Sequence, residues 1–342
     1  LWYRYGSRLM LDAIVTFIIF TNCFKRSTLT GRDNMPGYIN YRPFLLFFTI
    51  AASIFFIGCT GDRDATYVDF SDRMVVDRSG GNSRDKAYLK VAVGSIISAQ
   101  ETVVFYHQLL EYIADKLGRE IQLVQRKTYS EINELIGMGQ IDLAFICSGP
   151  YAGGRKKFGF QALAMPRVCG SHLYQAYLIV NNDSSIQKLT DLRGKVFAFT
   201  DPESNTGKLV PTYWLNKAGA KPKDFFGKTI YTYSHDNSIR AVAMSLVDGA
   251  AVNGQVWEYY HHSDPVFTAK TRIIKRSQPF GNPPVVASAH LSNQMKARIQ
   301  SLFLKMHLDP EGKKILDELM IDGFIAPKEE CYDPILAMKN DM

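Results

Sequence analysis

The residues best placed to do chemistry lie in the string Asp201-Pro202-Glu203-Ser204-Asn205-Thr206-Gly207-Lys208, which follows the apolar run Val196–Phe199. A strand that ends in a hydroxyl-rich turn and passes into a helix leaves the first helical amides without intrahelical partners, and the macrodipole adds partial positive charge there. An oxyanion suits such a place, held by Ser204, Asn205, Thr206 and the N–H groups behind them, with Gly207 letting the backbone approach closely. The same string also fits a helix N-cap that binds nothing. It is not a P-loop: no Gly stands five residues before Gly207, and Leu209 replaces the hydroxyl residue after the Lys.

Four further places repeat the strand-end pattern: Ser95 onward, Tyr129-Ser130, Ser148-Gly149-Pro150-Tyr151, and Tyr233-Ser234-His235-Asp236. Tyr offers an apolar wall with one polar tip, which suits a small ligand. The candidate binding residues are therefore Ser204, Asn205, Thr206, His235, Tyr129, Tyr151, Ser95 and Ser148, with His235 equally readable as a core or surface imidazole. A hydrolase triad of Ser204, His235 and Asp201 is the competing chemistry. It lacks a G-x-S-x-G elbow, and its chain order matches none of the usual triads. His261-His262 with Asp264 lacks helical metal-ligand spacing and is expected at the surface, so neither a metal nor a cofactor is expected. Of the five cysteines, Cys23, Cys59, Cys147, Cys169 and Cys331, none has CxxC spacing. Cys147 and Cys169 follow apolar strand-like runs; they either pair at one sheet edge or remain buried free thiols.

The elements that must position these residues alternate from residue 88 onward. Strand patterns cover residues 89–93, 121–124 and 141–146. Helix patterns cover 100–117, stopped by Gly118, and 130–138 with Ser130 as N-cap. This order predicts an α/β domain with a mostly parallel sheet. A second block holds strands at 196–199, 230–233 and 249–252 and helices at 208–217 and 238–246. Helices at 292–306 and 310–319 close the chain. The expected arrangement is one lobe from residues 87–180 with 285–342 and another from 181–284. The crossings fall near 174–182 and 283–289, and the ligand crevice lies at the carboxyl ends of the strands.

Composition narrows the class. With 46% hydrophobic and 21% charged residues the chain has enough apolar material for a core and is not a disordered polymer. The formal charge of +7 falls to about +3 without the residues before Cys59, and no Lys/Arg stripe interleaves with aromatics, so nucleic acid is not an expected partner. Residues 1–58 read as a signal segment with an over-extended start before Met35. The run 44–58 follows Arg42 and ends in Phe56-Ile57-Gly58-Cys59, like a lipoprotein cleavage site that lipidates Cys59; plain export and an anchor helix within 9–24 are the alternatives. Residues 59–86, with Ser79-Gly80-Gly81-Asn82-Ser83, have tether composition.

Over residues 88–342 the chain resembles the phosphonate/phosphite/phosphate-binding proteins of bacterial ABC transporters. The resemblance rests on Tyr129-Ser130-Glu131, Asp142 through Tyr151, Asp201 through Gly207, Ser234-His235, and Val247 through Asn253. It implies a two-lobed periplasmic-binding-protein fold of type II with two crossover strands and an interlobe cleft. It further implies a non-catalytic, monomeric, cell-envelope protein that delivers a phosphorus oxyanion to an inner-membrane permease. A sensory subunit docked on a receptor kinase would use the same cleft. By the same resemblance Ser204, Asn205 and Thr206 hold the oxyanion, His235 is a second donor, and Tyr129 and Tyr151 come from the first lobe. Where some relatives place a carboxylate for an amino group, this chain reads Asn253-Gly254-Gln255, which favours a smaller oxyanion.

Overall fold

The computed structural model describes Met74, Val75, residues 88–94 and residues 96–342. The expected leader, Cys59, nearly all of the tether and Ser95 lie outside the described residues.

The first lobe begins with β1 (Met74–Val75), β2 (Leu89–Val93), α1 (Ala99–Leu117), β3 (Ile121–Val124), α2 (Tyr129–Gly137), β4 (Leu143–Phe145), α3 (Ser148–Phe158) and β5 (Gln161–Val168). The chain leaves through β6 (Leu173–Tyr174). The second lobe follows: β7 (Ala176–Asn181), β8 (Val196–Phe199), α4 (Val210–Lys217), α5 (Pro222–Phe225), β9 (Lys228–Tyr231), α6 (His235–Ala243), β10 (Gly249–Asn253), α7 (Gly254–Ser263) and β11 (Thr271–Arg276). It returns through β12 (Phe280–Gly281) to β13 (Val285–Ala287), α8 (Asn293–Lys305), α9 (Pro310–Glu318), β14 (Ile321–Ile325) and α10 (Asp333–Asn340).

Strand alternation layers each lobe. Side chains of successive strand residues point to opposite faces. Val91, Val93, Leu143, Phe145, Val285 and Ala287 accordingly enter one core with α1 and α8, while Ala92, Ala144, Ile146 and Val286 enter another with α2, α3 and α10. The second sheet divides likewise: Leu178, Val180, Phe197 and Phe199 face one core, and Ile179, Ala198 and Val252 face the other.

The seven-stranded sheet has the order β1-β3-β2-β4-β13-β5-β14, and the five-stranded sheet the order β11-β7-β10-β8-β9. Both are mixed, which corrects the mostly parallel expectation. Among the described strands, β2 runs parallel to β3 and β4, and β8 to β9 and β10. The chain enters the second sheet on β7 and re-enters the first on β13, both antiparallel to their neighbours. A parallel entry would need a crossover connection within the same sheet, which a link between lobes does not supply. β7 lies wholly in the second sheet, so that sheet begins before residue 181. The crossover pair is β6 with β12, Tyr174 opposite Phe280 and Leu173 opposite Gly281.

Two local expectations change. The N-cap of α2 is Thr128, not Ser130. Thr128 Oγ1 accepts the Glu131 N–H at 3.3 Å while Glu131 Oε2 accepts the Thr128 N–H at 2.8 Å, a reciprocal capping box that Ser130 has no acidic partner to form. Cys147 and Cys169 are not paired: Cys147 is buried and Cys169 is exposed.

Phe303 on α8 is fully buried, with ring centroids of Phe324 at 4.8 Å and Phe145 at 5.9 Å. Phe303→Ala is expected to cost about 3–5 kcal/mol in denaturant unfolding. A loss below about 1 kcal/mol would show that the first lobe does not depend on this aromatic cluster.

Candidate functional site

Pro211 shapes the central turn. It has no N–H to offer the Gly207 carbonyl, and its ring crowds that carbonyl. The preceding turn, Asn205–Leu209, widens into a π-helical turn in which Leu209 N–H reaches the Ser204 carbonyl at 2.9 Å. The freed Gly207 carbonyl accepts the Thr200 N–H at 3.4 Å. Ser204 Oγ caps the turn by accepting the Gly207 N–H at 3.0 Å. A Cβ at residue 207 would collide with the Thr200 side chain, so glycine is required there by close approach.

This turn buries Ser204, Asn205 and Thr206 completely. Asn205 Nδ2 donates to the Tyr174 hydroxyl at 3.2 Å. Asn205 Oδ1 and Thr206 Oγ1 are buried without a hydrogen-bond partner. Half a turn of the Asn205 amide would let Tyr174 donate to Oδ1 and present the NH2 group in its place. Unmade bonds of this kind are costly, so these two atoms are the polar groups of the turn that the fold leaves unsatisfied.

His235, the first residue of α6, is buried. Its Nδ1 accepts the Asn253 N–H at 3.1 Å and faces Thr200 Oγ1 at 3.2 Å. An Nδ1 that accepts leaves the ring proton on Nε2, so His235 is a neutral Nε2–H donor. Burial pushes its pKa down to about 3. Tyr129 is also buried; burial first, then the nearby Cys147, Asp201, Tyr174 and Asp236, raise its pKa and keep it protonated.

The lobes meet around these groups. Asp201 Oδ2 accepts the Tyr129 N–H at the start of α2 at 3.2 Å, and its Oδ1 accepts the Glu203 N–H at 2.7 Å. Asp236 Oδ1 accepts the Ser98 N–H at the start of α1 at 2.8 Å, and the His235 N–H donates to the Ile96 carbonyl at 3.0 Å. Gly149 packs so tightly that a Cβ there would stand 2.6 Å from the Glu203 carbonyl oxygen. Cys147 is buried beside these groups, and burial raises the pKa of its thiol. Burial also raises the pKa of Asp201, against the lowering effect of its two N–H donors.

No ion pair of the described residues reaches the cluster. Its donors are helix amides, hydroxyls and a neutral imidazole. The triad is not assembled: Ser204 faces Gly207, and His235 Nδ1 faces Asn253 and Thr200 instead of Asp201. A ring whose pKa is near 3 is also poorly matched to general-base work at neutral pH.

Two candidates serve the scaffold. The Tyr151 hydroxyl donates to Glu329 Oε1 at 2.5 Å, and its ring packs edge-on against Tyr332 at 4.8 Å, so its polar tip is committed outside the cluster. The Ser148 hydroxyl donates to the Gly281 carbonyl on the crossover pair at 2.6 Å. His261 stacks on Trp257 at 4.6 Å, and no group of metal-ligating residues occurs among the described residues. Tyr174, Thr200, Asp236 and Asn253 belong to the cluster although sequence reading did not name them as binders. Asp236 carried a usable signal, being an acidic first-turn residue directly after His235.

The titration of His235 has a definite sign. An imidazole protonates near 6.5 when free and near 3 in this fold, so between those values the folded state binds fewer protons than the unfolded chain. This contribution to stability is fully present above pH 6.5 and is lost as pH falls through the window toward 3. In His235→Gln, the unfolding midpoint is expected to decline less steeply over that range than in the parent chain. Superimposable pH profiles would remove His235 as their cause.

The comparisons with known proteins place the fold in a family. The family model for the phosphonate periplasmic substrate-binding protein of ABC transporters matches residues 91–332. The phosphonates-binding periplasmic protein of Escherichia coli K12 is 27% identical over 281 residues, covering 80% of this chain and 82% of that protein. The phosphate-import protein of Mycolicibacterium smegmatis is 30% identical over 232 residues, 64% of this chain and 70% of that one. A binding-protein component of an ABC phosphonate transporter from Pseudomonas aeruginosa shares the fold at a TM-score of 0.71 and 24% identity, over 75% of this chain and 86% of that chain. The chain belongs to the phosphonate-binding family of periplasmic substrate-binding proteins of ABC transporters.

Proposed function

We propose that this chain captures a phosphorus oxyanion between its lobes and delivers it unchanged to a membrane permease, as a monomer held at the membrane by a lipid on Cys59. The observation that carries the reading is the pair of buried, unpartnered polar atoms, Thr206 Oγ1 and Asn205 Oδ1, on a helix-start turn at the same strand ends as the neutral donor His235. Neutral donors inside a water-excluded cleft bind an anion through aligned dipoles and hydrogen bonds, without a buried Lys or Arg. Membership in a transporter family favours delivery to a permease over the sensory role. The relatives' names extend from phosphonates to phosphate, which supports the ligand class at the level of a phosphorus oxyanion.

The test is calorimetric titration of the ligand-stripped chain with phosphate, phosphite, methylphosphonate and sulfate, beside Thr206→Val. The variant removes a hydroxyl that has no hydrogen-bond partner in the fold. Its unfolding stability should therefore be unchanged or higher, while affinity for the preferred phosphorus oxyanion should fall by about 1–3 kcal/mol. Unchanged affinity, or no binding of any phosphorus oxyanion, would overturn the proposal. For the anchor, Cys59→Ser is expected to move the protein from the membrane to the soluble fraction; continued membrane fractionation would exclude the lipid.

A further inference from the structure

A cavity of about 430 Å3 lies between the lobes beside the polar cluster. Gly94, Ile96, Tyr174 and Asn253 line it, and each also belongs to the anion site or adjoins it. The Ile96 carbonyl holds the His235 N–H, the Tyr174 hydroxyl holds Asn205, and the Asn253 N–H holds His235. A Cβ on Gly94 would stand 3.6 Å from the Tyr129 ring, so the cavity wall at Gly94 packs against that ring.

Away from the cluster the walls are mostly apolar, interrupted by Ser171, Gln175, Gln255 and the Tyr260 hydroxyl, and come from both lobes. Phe105 on α1 meets Tyr259 on α7 edge-on at 5.1 Å, and Tyr106 meets Phe145 at 5.1 Å. Val256 lines the cavity from α7, and Val285 from β13. Glu258 is the one charged residue in the lining; it is exposed, and its Oε1 accepts the Tyr177 hydroxyl at 3.1 Å. Phosphate or phosphite alone would leave this space unused. A pocket of this size with aromatic walls fits an uncharged organic group.

We propose that the ligand is an organophosphorus anion carrying a bulky apolar or aryl substituent, its phosphorus oxygens on the Ser204–Thr206 turn and its substituent in this cavity. The inference rests on the oxyanion reading above and specifies the ligand within it. It enlarges the sequence-based expectation of a small oxyanion. Asn253-Gly254-Gln255 place no carboxylate directly after β10, and Glu258, further along α7, is exposed and bonded by the Tyr177 hydroxyl, so the cavity favours an apolar group over a charged amino group.

The experiment titrates the full chain with phosphate, methylphosphonate, butylphosphonate, phenylphosphonate and 2-aminoethylphosphonate, with benzoate as a control for the ring alone. Phenylphosphonate is expected to bind at least about tenfold more tightly than methylphosphonate, with butylphosphonate between them, because added apolar surface leaves water. Val256→Trp, which fills the cavity from α7, should abolish that preference and leave phosphate affinity within about twofold. If this variant does not fold, the methyl–butyl–phenyl series in the parent chain decides alone. Binding of phosphate or methylphosphonate with no gain for the larger substituents overturns the cavity proposal and leaves the oxyanion reading intact. Tighter binding of 2-aminoethylphosphonate than of phenylphosphonate also overturns it, and directs attention to Asp236 Oδ2, which is buried without a partner. Binding of none of the phosphorus compounds defeats the oxyanion reading itself.

Discussion

Two buried carboxylates of the second lobe, Asp201 and Asp236, accept backbone N–H groups at the helix starts of the first lobe. A carboxylate placed on the unpaired amides of a helix start gains from both the hydrogen bond and the macrodipole. That gain offsets part of the cost of burial, a cost visible in the raised pKa of Asp201. The His235 N–H to Ile96 carbonyl bond and the tight seat of Gly149 complete the same interface. The burial of Thr206, the neutrality of His235 and the enclosure of the cavity all follow from the lobes being held together at these points.

The interior so created is poor in formal cations. Its polar groups are dipoles fixed by the fold: the widened turn at Asn205–Leu209, the Nε2–H tautomer of His235 set by the Asn253 amide, and the Thr206 hydroxyl, which has no partner. Low local polarity strengthens each such interaction and makes an unfilled one costly. Lobe closure leaves Thr206 Oγ1 and Asn205 Oδ1 buried without partners. The mostly apolar cavity extends the same interior, with walls from residues of both lobes.

Much of this was legible before the structure. The alternation in residues 89–93, 143–146 and 196–199 encodes strands through a period of two, and Gly118 marks a helix end by its left-handed conformation. The turn from Asp201 to Gly207 was readable because its residue types carry their own chemistry. Other features were not local. Thr128 wins the cap of α2 only because Glu131 answers it. Tyr151 and Ser148 have the residue types of binders, yet Glu329 and the Gly281 carbonyl, both remote in sequence, take their hydroxyls. The antiparallel entry of β7 and β13 depends on the chain leaving one sheet for another, which no short window records.

Sequence alone therefore determined the α/β class, the repeated strand-to-helix turns and the capped turn at Ser204–Gly207, because each is written in side-chain periodicity, capping chemistry or backbone freedom within a few residues. Tertiary structure decided which of those turns converge, which hydroxyls remain available, which tautomer His235 adopts and how much apolar space adjoins the polar cluster. Those properties arise from hydrogen-bond partners and packing surfaces brought together across as many as 178 positions of chain, as between Tyr151 and Glu329. Only the closed arrangement of the lobes assigns them.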